Sequence, residues 1–215
     1  MYGYFRYFLV KSKYNIHYAW KTKNAGSYME EKTLEEIKKE CSGCMKCPLG
    51  KTRTNLVFGI GNPNAKLMFV GEAPGQNEDL SGIPFVGAAG KLFDKYLGAV
   101  GIDRNDVYIT NILKCRPPQN RDPLPEEEDA CIGYLHEQVA AISPDIIVCL
   151  GRIAAMRLIK PDFKITKEHG IFVRRGKYEI CAVYHPSALL RDPVKKDDML
   201  SDMIMISKKY RALPK

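Results

Sequence analysis

The chain has 215 residues, 45% of them apolar, and a formal net charge of +8. That length supports one globular domain with a buried core, and no apolar run is long enough to cross a bilayer. The opening "MYGYFRYFLVKSKYNIHYAW" has a short apolar part interrupted by Arg6 and no small-residue cleavage site. An intracellular, cytoplasmic protein is therefore the expectation.

The charge is unevenly placed. Residues 1–28 hold Arg6, Lys11, Lys13, Lys21 and Lys23 and no acid, which is +5 of the +8 and leaves +3 for the other 187 residues. A basic balance favours a polyanionic partner, but most of it lies in a segment without a clean helical or alternating period. Residues 1–28 read as an extension, with a nucleic-acid-gripping arm as its functional alternative. Residues 29–215 read as a single domain.

From Met29, "MEEKTLEEIKKE" predicts an amphipathic helix with Leu34 and Ile37 on one face. "CSGCMKCPLGKTR" follows, bringing Cys41, Cys44 and Cys47. Apolar, β-rich runs at 65–71, 106–112, 145–151 and 178–185 predict buried strands. Between and after them, helices are expected at 87–100, 125–141, 151–160 and about 193–212. Pro125 followed by Glu126, Glu127 and Glu128 is a strong helix start, because proline suits the first turn and acids face the dipole. This alternation predicts a parallel sheet covered on both faces. Each strand runs directly into polar or special residues: "GEAPG", "TNILKC", "LGR" and "YHPS". Ligands of open α/β sheets bind outside the carboxyl ends of the strands, so these segments are expected to meet at one cleft.

Seven cysteines in a reducing compartment favour metal or cluster ligation over disulfides. Cys44, Cys47, Cys115 and Cys131 form a candidate four-thiolate set, for zinc or for a [4Fe–4S] cluster. Cys41 shares the x2 spacing and stays open as an alternative. Cys149 and Cys181 lie inside apolar strands and read as small core residues.

The loop "GEAPGQNEDLSGIPFVG" (71–87) is glycine-rich but acidic, with Glu72, Glu78 and Asp79 and no lysine. It lacks the Gly-Lys-Ser/Thr ending of a phosphate loop, and its charge would repel phosphate. A neutral ring that donates N–H groups, or a sugar developing positive charge, suits it better.

"GEAPGQNEDLSGIPFVGAAGKLFDKYL", "VYITNILKCRPPQNRDPLPEEEDAC" and "YHPSALLR" together closely resemble the family 4 uracil-DNA glycosylases, the iron–sulfur branch of their superfamily. The resemblance spans about Cys44 to Arg191. It implies a three-layer α/β/α sandwich around a central four-stranded parallel sheet, extrusion of deoxyuridine from DNA, and hydrolysis of its N-glycosidic bond in base excision repair. It further implies a structural [4Fe–4S] cluster on Cys44, Cys47, Cys115 and Cys131. On this match Phe85 stacks on the flipped base, Asn111 reads the uracil edge, and His185 stabilises charge growing on O2. Gly71, Ala73 and Gly75 let the backbone approach the base. Leu189 or Leu190 wedges into the duplex, with Arg191 nearby for phosphate. Ala73 stands where other branches carry a water-positioning aspartate, so the water's partner is Glu72 first, with Glu78 or Asp79 second. Expected partners are uracil-containing DNA and a replication or repair protein such as a sliding clamp, with the chain itself a monomer. Competing readings are a zinc-stabilised nucleic-acid-binding protein, a relative acting on another base or on none, and an electron-transfer protein.

Overall fold

A computed structural model describes residues 5–12, 15–22 and 32–214. The chain divides into two compact units, Met1–Glu31 and Lys32–Lys215. In the first, β1 (Phe5–Ser12) and β2 (Asn15–Thr22) pair antiparallel, with Tyr7 opposite Trp20 and Leu9 opposite Tyr18. The sequence reading assigned no strands here. The expected domain start at Met29 lies outside the described residues.

The second unit begins with α1 (Leu34–Ser42). Thr33 caps it: its hydroxyl accepts the Glu36 N–H at 3.3 Å while its own N–H reaches the Glu36 carboxylate at 2.8 Å. Ile37 and Cys41, one turn apart, are its buried positions. Next come α2 (Leu49–Thr52), β3 (Ile60–Gly61), β4 (Leu67–Gly71), α3 (Gln76–Ser81), α4 (Ala88–Ala99) and β5 (Tyr108–Asn111). Then follow α5 (Pro125–Ile142), β6 (Ile146–Leu150), α6 (Arg152–Leu158), α7 (Ile165–Glu168), β7 (Val173–Arg175), β8 (Tyr178–Val183), α8 (Pro186–Arg191) and α9 (Lys196–Arg211).

These strands form a six-stranded sheet in the order β3-β5-β4-β6-β8-β7. The four expected strands are there, parallel and adjacent. The expectation of four strands is corrected at the edges, where β3 and β7 add antiparallel pairs. Strands of two and three residues bury no alternating face, so periodicity could not reveal them.

Alternation along β4 builds the layers. Met68 and Val70 face one core with Leu135 and Val139 of α5, while Leu67 and Phe69 face the other with Phe93 of α4 and Met203 of α9. The result is the predicted α/β/α sandwich. Strand β4 pairs with β5 on one side and β6 on the other, so the winding reverses at its carboxyl end and opens a crevice there.

Helix α4 is held against that crevice through Gly90. A Cβ at Gly90 would collide with the backbone carbonyl of Phe85 and stand 2.8 Å from its Cα. Gly90→Ala is expected to cost about 1–3 kcal/mol in urea denaturation, as an overpacking change does. Gly133→Ala, exposed on α5 with nothing within 4 Å of the new Cβ, should instead stabilise by up to about 1 kcal/mol.

Candidate active site

The carboxyl ends of β4 and β5 set Gly71 beside Asn111 in parallel register. Gly71 serves by having no side chain: a Cβ there would collide with Asn111 Oδ1 and lie 2.7 Å from Phe85 Cζ. Asn111 is 2% exposed, and its Oδ1 is buried without a hydrogen-bond partner. Such an orphaned acceptor is costly unless a ligand donates to it.

Phe85 is buried and held at φ 55°, a region an aromatic residue seldom occupies. Backbone strain of that kind is retained where a site needs it. Its ring lies 5.7 Å from that of His185, tilted by 35°, and 5.7 Å from Phe93. His185 precedes α8 and caps it: the Ser187 N–H donates to Nδ1 at 3.1 Å. That bond fixes the tautomer, leaving the proton on Nε2 in the neutral ring. Burial, aided by Arg191 and opposed by Glu78, pushes the imidazole down to about 4. It is therefore a neutral N–H donor at neutral pH. Gly151, at φ 95°, makes room for it, since a Cβ there would stand 2.8 Å from His185 Cβ.

The acidic loop divides its carboxylates between two tasks. Glu78 Oε1 accepts the N–H groups of Val86 (3.0 Å) and Gly87 (2.8 Å), and Oε2 accepts that of Gly75 at 3.1 Å. Asp79 Oδ1 accepts the Thr54 N–H at 2.9 Å. Both acids tie the loop down, which counts against either as the partner of a water and gives Glu78 a loop-shaping place. Glu72 accepts no hydrogen bond through its carboxylate among the described residues. Burial, with the charge of Asp122 next, pushes it up to about 7 against the pull of Arg152. Arg152 and Asp122 pair at 3.0 Å, an exposed contact that the sequence reading did not single out. Ala73 is packed partly against the core.

Leu189 and Leu190 differ sharply. Leu189 is 0% exposed, within the core shared with α4 and α9, so its reading as a wedge is corrected. Leu190 is 50% exposed, and Arg191 beside it is exposed as well.

On the opposite face, Cys41, Cys44, Cys47, Cys115 and Cys131 ring a cavity of about 20 Å³ with Arg53, Lys114 and Tyr134. None of the seven cysteines is in a disulfide. Arg53 Nη1 donates to Cys115 Sγ at 3.3 Å. Burial pushes Cys41 up to about 12 and Cys131 up to about 11. Cys149 and Cys181 are fully buried within β6 and β8, as expected of core residues. A buried polar network under the cavity, formed by Lys114, Thr110 and Gln138, escaped the sequence reading.

The carboxyl end of the sheet thus brings together a buried amide, an aromatic ring and an imidazole. Residues 58–205 match the family model of the uracil DNA glycosylase superfamily. The chain is 48% identical over 178 residues to a type-4 uracil-DNA glycosylase of Archaeoglobus fulgidus, covering 79% of this chain and 89% of that one. It is 47% identical over 170 residues to that of Sulfurisphaera tokodaii, covering 75% and 77%, and 41% identical over 187 residues to that of Pyrobaculum aerophilum, covering 82% and 93%. The chain belongs to the uracil DNA glycosylase superfamily, in its type-4 branch.

The two leucines should separate in thermal or urea unfolding. Leu189→Ala is expected to destabilise by about 2–5 kcal/mol through the cavity it leaves, whereas Leu190→Ala should change stability by less than about 0.5 kcal/mol.

Proposed function

We propose that this chain removes uracil from DNA by flipping deoxyuridine into the cleft and hydrolysing its N-glycosidic bond. The observation that carries the reading is the buried, unpartnered Oδ1 of Asn111 beside the Phe85 ring. Uracil offers N3–H to that oxygen and accepts at O4 from the Asn111 amide. Cytosine presents the opposite pattern and would leave buried polar groups mismatched, which supplies discrimination. The flipped ring stacks on Phe85 at the mouth opened by Gly71.

Chemistry follows from where charge appears. As the bond from C1′ to N1 breaks, its electron pair leaves with the base and the sugar becomes oxocarbenium-like. His185 Nε2–H donates to O2 as negative charge grows there, and being neutral it keeps its proton. Glu72, the loop carboxylate not engaged by backbone N–H groups, orients a water toward C1′ and accepts its proton. A carboxylate displaced to about 7 is poised for that task. Leu190 fills the gap left in the helix, and Arg191 meets a phosphate.

The cavity on the opposite face suits a [4Fe–4S] cluster held by Cys44, Cys47, Cys115 and Cys131. Its thiols come from three separate segments, and the buried ammonium of Lys114 faces them without a carboxylate of its own. Among the described residues no three His, Cys, Asp or Glu side chains converge on a single metal ion. When bound, the cluster supplies a cross-link between the segment after α1, the end of β5 and α5.

An oligonucleotide with one uracil opposite guanine tests the activity directly. Alkali-dependent scission is expected at the uracil alone; no scission by iron-replete protein would overturn the reading. Asn111→Asp should erode discrimination against cytosine, and His185→Ala should lower kcat by about 10²–10³-fold with DNA affinity retained. The Glu72 pKa is raised in the folded state, so the proton is held below about pH 7 and released above it. Excision by the parent protein should therefore fall as pH drops through about 7, and Glu72→Gln should abolish that limb along with most turnover.

A further inference from the structure

Lys114 is 1% exposed, and its ammonium lies wholly inside the protein. Its three protons have three acceptors: Thr110 Oγ1 at 2.7 Å, the Asn111 carbonyl at 2.7 Å and Gln138 Oε1 at 2.6 Å. All three are neutral, and no carboxylate is among its partners in the described residues. Hydrogen bonds satisfy the donors but do not balance the charge. A buried cation without an anion costs several kcal/mol, and proteins meet that cost with a counter-charge or a bound anionic group.

The group assigned to the cysteine cavity would supply the counter-charge. Lys114 lines that cavity together with Cys41, Cys115 and Cys131. Its own carbonyl accepts the Val57 N–H at 3.0 Å. The same residue thus lines the cysteine cavity and holds the Asn111 backbone. Thr110 and Gln138, its two other partners, both donate to the Phe58 carbonyl, at 2.8 and 2.9 Å. The network is closed and joins α5 to the end of β5, where the uracil-reading amide sits. Arg53 and Lys46 also line the cavity, but their side chains are partly or well exposed, so water screens their charge.

We propose that Lys114 is the buried counter-ion of the cluster and the positioning residue that links the cluster to the base pocket, holding the Asn111 carbonyl and with it the orientation of Asn111. This inference rests on the cluster assigned above. Thiolates and cluster carry net negative charge toward Nζ, and the ammonium turns that charge into a fixed point of attachment for the end of β5. No proton or electron needs to move for this to hold.

The test uses the iron-loaded protein and two variants that alter the charge by different routes. Lys114→Met removes the cation and its bond to Asn111, while Gln138→Glu places a carboxylate against Nζ and neutralises it with that bond intact. A nearby buried cation favours the more negative, reduced cluster, so both variants should lower its reduction potential in an EPR-monitored titration. Lys46→Met, which removes an exposed cation of the same cavity, should shift it less. Lys114→Met should also lower kcat/KM for uracil excision about tenfold or more. An unchanged potential in Gln138→Glu overturns the counter-ion role even if Lys114→Met fails to fold. Wild-type excision by Lys114→Met overturns the positioning role. Iron- and sulfide-free parent protein would overturn the cluster assignment itself, a failure read before any variant is made.

Discussion

The parallel pairing of β4 with β5 governs this site. It sets Gly71 level with Asn111 at the carboxyl edge of the sheet, so a residue without a side chain stands beside a buried amide. A slip of one residue would turn Asn111 to the other face of its strand and replace the opening with a side chain. The other residues of the candidate site are arranged around this pair. Phe85 is forced into a strained backbone beside it, and His185 is delivered from the end of β8 at 5.7 Å from the Phe85 ring.

The loop after β4 solves a second problem, that of keeping a glycine-rich segment rigid. Glu78 gathers three backbone N–H groups from residues 75, 86 and 87, and Asp79 anchors the same loop to Thr54. Charge-assisted bonds of this kind are stronger than neutral ones, which explains how an acidic loop can hold shape. The cost is that only Glu72 retains a carboxylate open to other work. Its proton affinity is raised by burial and by Asp122, so the environment that isolates it also makes it a better base.

Two faces of one sheet end are put to different uses. The pocket side carries a buried amide acceptor and a neutral imidazole, while the cysteine side gathers sulfur and a buried lysine. Lys114 lies between them, three residues from Asn111 and adjacent to Cys115. Connection of the two sites therefore needs no long pathway, only one side chain and its backbone.

Much of this was legible in the sequence. The four parallel strands, the long helices and the Pro125 helix start follow from periodicity and capping chemistry, which act over a few residues. Cys149 and Cys181 betrayed their burial by sitting in apolar runs, and Glu72, Phe85, Asn111 and His185 stood in motifs at strand ends. What the sequence left open were matters of partnership across distance. Leu189 and Leu190 are adjacent and chemically identical, and only packing decides that one is core and the other exposed. Glu78 and Asp79 stood second to Glu72 as partners of a water until the fold brought backbone N–H groups to them. The cation of Lys114 gave no local sign of burial, because the acceptors that hold it include Gln138, a helix away. Composition and short-range pattern thus determined the layers and the chemistry in reserve, while the tertiary structure decided which groups are spent on holding the fold and which remain free to act.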